Sequence, residues 1–274
     1  VPYRLDSVGR GRIMTVPVHI GGNVRDFVFD TGAAQFNFVS ERFARENGIR
    51  MIADSIPVAG IGRGWVGLGV ADSLAVGGIV MRNPVFLISP PDQATDTIEV
   101  ISVVLGNAFM RKAERFTIDN RTRHIVFPAE RTLHADGTKR MANMMLNSFQ
   151  PYVRIHADGI PLLFHFDTGN VATTLYPPYY ELFREQVDSC GVEDTVRIGG
   201  FAGVAENVCY RLPSVEFTLE GVPFTLRDID VLPSGSAGAT AGSEAGSLGT
   251  DFATAFDTLT VDYTSCTVLG ENVP

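Results

Sequence analysis

Cysteine is scarce in this chain, basic residues are outnumbered, and no long apolar run interrupts it. Each shortage excludes something. Three cysteines, Cys190, Cys209 and Cys266, stand among 274 residues with no Cys-x-x-Cys spacing, so neither a sulfur-bound zinc nor a dithiol redox pair is expected. Buried free thiols are one reading of them, and a Cys190–Cys209 bridge in an oxidising compartment is the other. His19, His124, His134, His156 and His165 do not fall in metal-ligand spacing, and no metal is expected. The 22 Lys and Arg face 31 Asp and Glu, a formal net charge of −9. That balance removes nucleic acid and anionic membrane from the expected partners, since both need a basic face. No apolar stretch approaches the roughly 20 residues of a membrane helix, so membrane insertion is not expected. The first residue is Val1 rather than Met, with no basic-then-apolar leader; with a signal segment removed, the expected location is periplasmic or extracellular. Gly-x-Ser-x-Gly, His-Glu-x-x-His and Lys-bearing phosphate-loop motifs are all missing, which leaves the common nucleophile, zinc and nucleotide chemistries without a foothold.

What is present is a repeat. Asp30-Thr31-Gly32-Ala33 and Asp167-Thr168-Gly169-Asn170 each close an alternating apolar run, with Phe27 and Phe29 matching Phe164 and Phe166 without a gap. The register holds upstream, where Val16, Val18, His19 and Gly22 correspond to Val153, Ile155, His156 and Gly159. It resumes downstream, where Leu105-Gly106-Asn107-Ala108-Phe109 corresponds to Leu248-Gly249-Thr250-Asp251-Phe252, and Asp119 trails Gly106 by 13 positions as Asp262 trails Gly249. Anchors kept in order like this indicate an internal duplication. A polar and then Met-rich stretch from Pro128 to Gln150 is the expected connection, with the boundary near Met141, giving halves of 1–140 and 141–274. At 45% hydrophobic residues, a core is readily built.

Strand signals dominate: the alternation at Phe27 to Phe29 and the runs Ile79 to Ile88, Val100 to Leu105 and Thr117 to Val126. Two helices are expected at matching places, Glu41 to Asn47 behind a Ser40 cap and ahead of Gly48, and Tyr179 to Gln186 behind Pro177-Pro178. Ser234 to Ser247, almost wholly Ser, Gly and Ala, is expected as a surface loop. Asn120-Arg121-Thr122 fits a glycosylation acceptor. His19 and His156 are repeat equivalents on strands and are read as structural.

A strand that ends in Asp and turns at once through Gly holds a carboxylate at a loop tip where another backbone can approach. One such loop is ordinary turn chemistry. Two, related by a pseudo-twofold axis, can bring their carboxylates within reach of each other and of one water. Such a pair shares a proton because both members cannot ionise. The ionised member takes a proton from water while the protonated one polarises the substrate carbonyl.

These motifs resemble those of aspartic proteases. Asp-Thr-Gly-Ala is similar to the retroviral-type enzymes, and two repeats on one chain are similar to the pepsin-like branch. Val104-Leu105-Gly106 and Ser247-Leu248-Gly249 stand where the family has an apolar-apolar-Gly element beneath each catalytic loop. The resemblance implies a mainly β fold of two duplicated retropepsin-like closed β-barrel lobes with one short helix after each motif. It implies an endopeptidase acting on peptide or protein substrates as a monomer, without a cofactor. Asp30 and Asp167 are then catalytic. Thr31 and Thr168 bond across to the opposite loop, and Gly32, Gly169 and Asn170 support the pair, while Asp119 and Asp262 only support turns. Asn170 replaces the family's usual Ser, Thr or Ala, and this bulkier amide either crowds the water or donates to Asp167; if it donates, it favours the charged form there and leaves the proton more often on Asp30.

Gly60-Ile61-Gly62-Arg63-Gly64-Trp65-Val66-Gly67 contains Gly-x-Gly-x-x-Gly, but no helix follows to make a dinucleotide site. It resembles the family's flap, which assigns Gly62, Arg63, Gly64 and Trp65 to substrate binding, with Ile198 to Gly203 as the counterpart. Two rival readings stand beside the protease: a peptide- or protein-binding module on the same scaffold, and a half-site that dimerises with another molecule.

Overall fold

The fold is described by a computed structural model, which covers residues 1–33, 36–60, 62–90, 102–128, 141–200, 203–233, 235–236 and 242–273. The expected boundary at 140/141 adjoins residues 129–140, which lie outside the described residues, as do His134, Ile61, and Val100 with Ile101 at the start of one expected strand run.

The first half runs β1 Arg4–Val8, β2 Gly11–Ile20, β3 Asn23–Phe29, β4 Asn37–Ser40, α1 Glu41–Glu46, β5 Arg50–Gly60, β6 Gly62–Val70, β7 Ser73–Val76, β8 Ile79–Arg82, β9 Val85–Ser89, β10 Val103–Leu105, α2 Asn107–Ala113, β11 Arg115–Asp119 and β12 His124–Val126. The second runs β13 Met144–Asn147, β14 Gln150–Ala157, β15 Ile160–Phe166, β16 Thr174–Leu175, α3 Pro177–Leu182, α4 Arg184–Cys190, β17 Val192–Gly200, β18 Gly203–Leu219, β19 Val222–Val231, β20 Gly246–Leu248, α5 Thr250–Ala253, β21 Thr258–Asp262 and β22 Thr267–Glu271. The mainly β expectation holds.

Duplication is visible in the strand order. One sheet contains the run β5-β6-β9-β4-β10-β3-β2, and the other contains β17-β18-β19-β16-β20-β15-β14 in the same succession. In both, the strand ending at the aspartate is paired in parallel with the strand ending before the repeat glycine: Leu105 lies opposite Phe29 and Leu248 opposite Phe166. A third sheet, β12-β11-β21-β22, takes two strands from each half. The halves therefore share main-chain hydrogen bonds as well as side-chain contacts.

Alternation explains the packing. Phe27 and Phe29, with Phe164 and Phe166, turn inward and are fully buried, and successive strand residues point to opposite faces. Phe29 meets Phe116 edge to face at 5.0 Å, and Phe166 meets Phe252 in the same way at 5.3 Å. One core cluster includes residues of both halves, among them Val16, Phe29 and Phe116 with Val153, Phe166 and Val261. Each such ring contributes about 1.5–3 kcal/mol through burial.

Several expectations need adjustment. The Thr117 to Val126 and Ile79 to Ile88 runs are each two strands divided by a turn. The helix expected over Tyr179 to Gln186 is two helices, because Phe183 leaves helical geometry at φ −116°, ψ 26°. Ser40 caps α1 as expected, its Oγ accepting from Phe43 N at 3.2 Å, while α2 and α5 add a short helix after each repeat glycine. The expected loop from Ser234 to Ser247 is only partly one. Residues 234 and 237–241 lie outside the described residues, but Gly246 and Ser247 form buried strand β20. Composition misled there because a strand squeezed between two others needs small residues: a methyl at Gly246 would stand 2.5 Å from the Thr174 carbonyl oxygen. All three cysteines are free. Asn120 is not poised to carry a glycan, since its side-chain amide donates to the Ala253 and Phe256 carbonyls at 3.0 and 2.7 Å and accepts from the Tyr3 hydroxyl.

Candidate active site

Each aspartate leaves its strand held by the strand beside it. Asp30 N donates to the Leu105 carbonyl at 3.0 Å, and Asp167 N donates to the Leu248 carbonyl at 2.9 Å. The chain then folds back so that Gly32 N and Ala33 N donate to Asp30 Oδ1 at 2.7 and 2.8 Å, while Gly169 N donates to Asp167 Oδ1 at 2.9 Å. Side-chain oxygens that capture the amides following them fix the carboxyl plane.

The two loops meet. A methyl placed on Gly32 would lie 2.1 Å from Asp167 Cγ, and one placed on Gly169 would lie 2.5 Å from Asp30 Cγ. Each glycine is thus the floor on which the opposite carboxyl rests, and no residue with a Cβ fits there. The carboxyls of Asp30 and Asp167 hydrogen-bond to one another, which requires a proton between them. Burial and the neighbouring Asp167 charge push Asp30 well above the ordinary carboxylate range. Asp167 is also raised by burial, but its hydrogen bond with Asp30 and the backbone N–H groups of Gly169, Asn170 and Gly32 hold it back. The pair therefore shares one proton, and its titration belongs to the two carboxyls together. Asn170 N donates to the Asp167 main-chain carbonyl at 3.0 Å and so closes the turn. Each aspartate keeps some surface open to solvent while protein encloses the rest.

Thr31 and Thr168 lock the loops to each other. Thr31 N donates to Thr168 Oγ1 and Thr168 N donates to Thr31 Oγ1, both at 3.1 Å. In turn Thr31 Oγ1 donates to the Phe166 carbonyl at 2.8 Å, and Thr168 Oγ1 donates to the Phe29 carbonyl. Both residues are fully buried. The expected cross-bonding is present in both directions.

Supporting residues that sequence reading passed over lie beneath. Asn107 Nδ2 donates to the Thr31 and Ala33 carbonyls at 2.6 and 2.8 Å, and Tyr263 donates its hydroxyl to Asn107 Oδ1 at 2.8 Å. On the other side Thr250 Oγ1 donates to the Thr168 carbonyl at 3.0 Å. The signal for Asn107 and Thr250 was available, since each follows its repeat glycine; Tyr263 and Gln150, whose Nε2 donates to the Gly32 carbonyl at 2.5 Å, carried none. Asp119 and Asp262 do hold turns, each through two following amides.

Both glycine-rich segments are hairpin tips. β5 and β6 pair down to Gly60 opposite Gly62, and β17 and β18 pair down to Gly200 opposite Gly203. The side chains of Gly62 and Arg63, and residues Ile61, Phe201 and Ala202, lie outside the described residues. Gly64 pairs with Val58, and Trp65, opposite Pro57, is 60% exposed. Trp65 also lines a cavity with Glu41, Met51 and Asp54, to which neither aspartate loop contributes. Among the described residues, no group of His, Cys, Asp and Glu is placed to hold a metal ion.

The chain is similar to known proteins at two levels. Residues 16–109 match a family model described as aspartyl protease. Among solved structures it is similar to conglutin gamma, a basic 7S globulin from lupine seeds, at 11% identity over 98% of this chain and 94% of that one, with a TM-score of 0.57. It is similar to an aspartic proteinase from Irpex lacteus at 12% identity over 99% of this chain and 96% of that one, with a TM-score of 0.56. Basic 7S globulin from soybean is matched at 11% identity over 98% and 93%, with a TM-score of 0.54. A comparison with curated protein sequences found no match.

Proposed function

We propose that this chain, whose fold is that of the aspartic protease superfamily, is an aspartic endopeptidase in which Asp30 and Asp167 activate water against a peptide bond. The observation that carries the reading is the mutual seating of the two carboxyls, each on the other loop's glycine. The ionised member takes a proton from a water held between the pair, and the resulting hydroxide attacks the carbonyl carbon. The protonated member gives its proton to the carbonyl oxygen, so the tetrahedral intermediate forms without a free oxyanion. Its collapse breaks the C–N bond, the amine leaves with a proton from the dyad, and the shared proton is restored. The Thr31–Thr168 lock keeps the acids from separating, and both acids come from one chain, which supports action as a monomer. The Gly60–Gly62 hairpin, with Arg63, Gly64 and Trp65 on its second strand, is assigned as the flap over an extended substrate paired through its main chain.

Denatured casein incubated from acid to neutral pH is expected to be cleaved by the protein, with cleavage blocked by a pepstatin-type inhibitor and absent in Asp30→Asn. Cleavage that persists in Asp30→Asn would overturn the dyad. The similarity to two 7S globulins favours a second reading, a peptide- or protein-binding module on the same scaffold; a folded protein that cleaves nothing at any pH would favour it.

A further inference from the structure

The strand pairings put one cross-strand row beside each aspartate, and the two rows differ in chemistry. Residues two before an aspartate share its face of the strand, so Val28 accompanies Asp30 and His165 accompanies Asp167. In the first half Val28 lies opposite Val104, Val104 opposite Phe38, and Phe38 opposite Leu87. Val28, Phe38, Val104 and Ile13 form an apolar cluster separate from the main core, with partly exposed Val8, Leu87, Ala33 of the near aspartate loop and Val171 just past the far one packed against it. At the same places in the second half His165 lies opposite Ser247, Ser247 opposite Thr174, and Thr174 opposite Asp230. Every apolar member has a polar counterpart.

A nearly buried carboxyl stands next to the polar row. Glu244 is only 8% exposed and, among the described residues, has no ion pair or hydrogen bond. Asp230, by contrast, is paired with Arg211 at 2.5 Å, and Arg211 also pairs with Asp194. The Glu244 charge acts on Tyr152, His165 and Tyr176, each of which it makes harder to deprotonate. Ala245 N donates to the Leu163 carbonyl at 2.7 Å and Tyr176 N donates to the Ala245 carbonyl at 2.8 Å, which places Glu244 beside the strand that ends at Asp167; the Asp167 charge reaches Tyr176 as well. The Tyr152 and His165 rings lie 5.2 Å apart, and His165 Nε2 is buried without a hydrogen-bond partner among the described residues. A nearly buried carboxylate is costly unless a cation joins it, and the faces of Tyr152 and Tyr176 suit the stem and head of such a cation.

We propose, on the reading that this site hydrolyses peptides, that the cleft is chemically one-sided. The Val28 wall accepts an apolar substrate side chain on one flank of the scissile bond, and the His165 wall accepts a Lys or Arg side chain on the other, paired with Glu244. Glu244 is a specificity-determining residue, and the cationic partner it lacks among the described residues comes from the substrate.

A peptide library randomised at the two positions flanking the cleaved bond tests this. Lys or Arg is expected to be enriched on one flank and aliphatic or aromatic residues on the other. In Glu244→Gln the ratio of kcat/KM for a Lys peptide to that for its Met counterpart is expected to fall at least about tenfold, the scale for removing one partner of a desolvated pair. In Glu244→Arg, Glu is expected to replace Lys. Apolar preference on both flanks, or an unchanged Lys-to-Met ratio in Glu244→Gln protein with native near-ultraviolet circular dichroism, would overturn the proposal while leaving peptidase activity standing. If no library member is cleaved, the peptidase reading fails, and calorimetric binding of the Lys and Met peptides to the intact protein decides this one: equal affinities overturn it, and a Lys preference lost in Glu244→Gln supports it.

Discussion

Thr117 and Thr260 face each other across the middle of the sheet that joins the two halves, their hydroxyl oxygens 2.8 Å apart. Thr117 follows Gly106 by 117 − 106 = 11 positions and Thr260 follows Gly249 by 260 − 249 = 11, so the pair is one repeat position meeting itself. The pseudo-twofold axis passes between them. Because β11 and β21 bond along their whole length at this axis and the core cluster is continuous through both halves, the chain is expected to unfold in a single calorimetric transition. Two resolved transitions would show the halves to be independent.

Asp30→Asn is expected to remove activity by at least about a thousandfold and to stabilise the fold at neutral pH. Both dyad members have raised native pKa values. Between the unfolded value and the native one, the native state binds more protons than the unfolded state, so stability falls as pH rises. Removing one buried acid relieves that loss, by roughly 1 kcal/mol or about 2–4 °C in Tm for a chain of this size. The gain should shrink as pH falls toward the ordinary carboxylate range, where the native pair takes up its protons. Thermal melts from pH 4 to 8 check both the sign and the convergence.

The pH-rate profile is expected to be a bell with two macroscopic constants that belong to the pair. Activity is lost on the acid limb when the pair takes up a second proton and on the basic limb when it loses the shared one. Burial raises both, so the window should lie above that of two ordinary carboxylates. Steady-state kcat/KM across pH measures it, and a single ionisation would contradict the shared proton.

Thr168→Val keeps the shape but strips the Thr31 N–H of its acceptor and the Phe29 carbonyl of its donor. Each stranded buried group costs about 1–3 kcal/mol. Thr31→Val does the same to the opposite loop. In a double-mutant cycle read by denaturant unfolding, the two losses should be clearly less than additive, because both variants break one lock.

Tyr263→Phe removes the hydroxyl that orients Asn107 beneath the Thr31 and Ala33 carbonyls. The expected cost is about 1 kcal/mol in stability, with kcat reduced and KM little changed, since Tyr263 acts on the Asp30 loop only through Asn107.

Residues whose chemistry is local are legible in the amino-acid sequence. Asp30 and Asp167 announce themselves because a strand, an acid and a glycine adjoin along the chain, and the repeat shows that they belong together. Thr31 and Thr168 come with them. Asn107 is visible only as half of a repeat pair with Thr250, and Tyr263 is invisible, since its partner stands 156 positions away. Ser234 to Ser247 shows the opposite failure: small residues look like a spacer, while strand β20 needs Gly246 and Ser247 because of what crowds it. Asn120 matches a surface motif but spends its side chain bracing the second half. Pattern reports what neighbours along the chain can do, and long-range hydrogen bonding decides the remainder.

The unequal rows beside the aspartates also bear on orientation. Had Val28 and His165 been the same residue, with matching companions across their strands, a polypeptide could lie in the groove head first or tail first and meet identical surroundings. With an apolar row on one bank and a polar row on the other, the two directions of travel would differ in energy, and the fused repeats would tell the amino end of a guest from its carboxyl end.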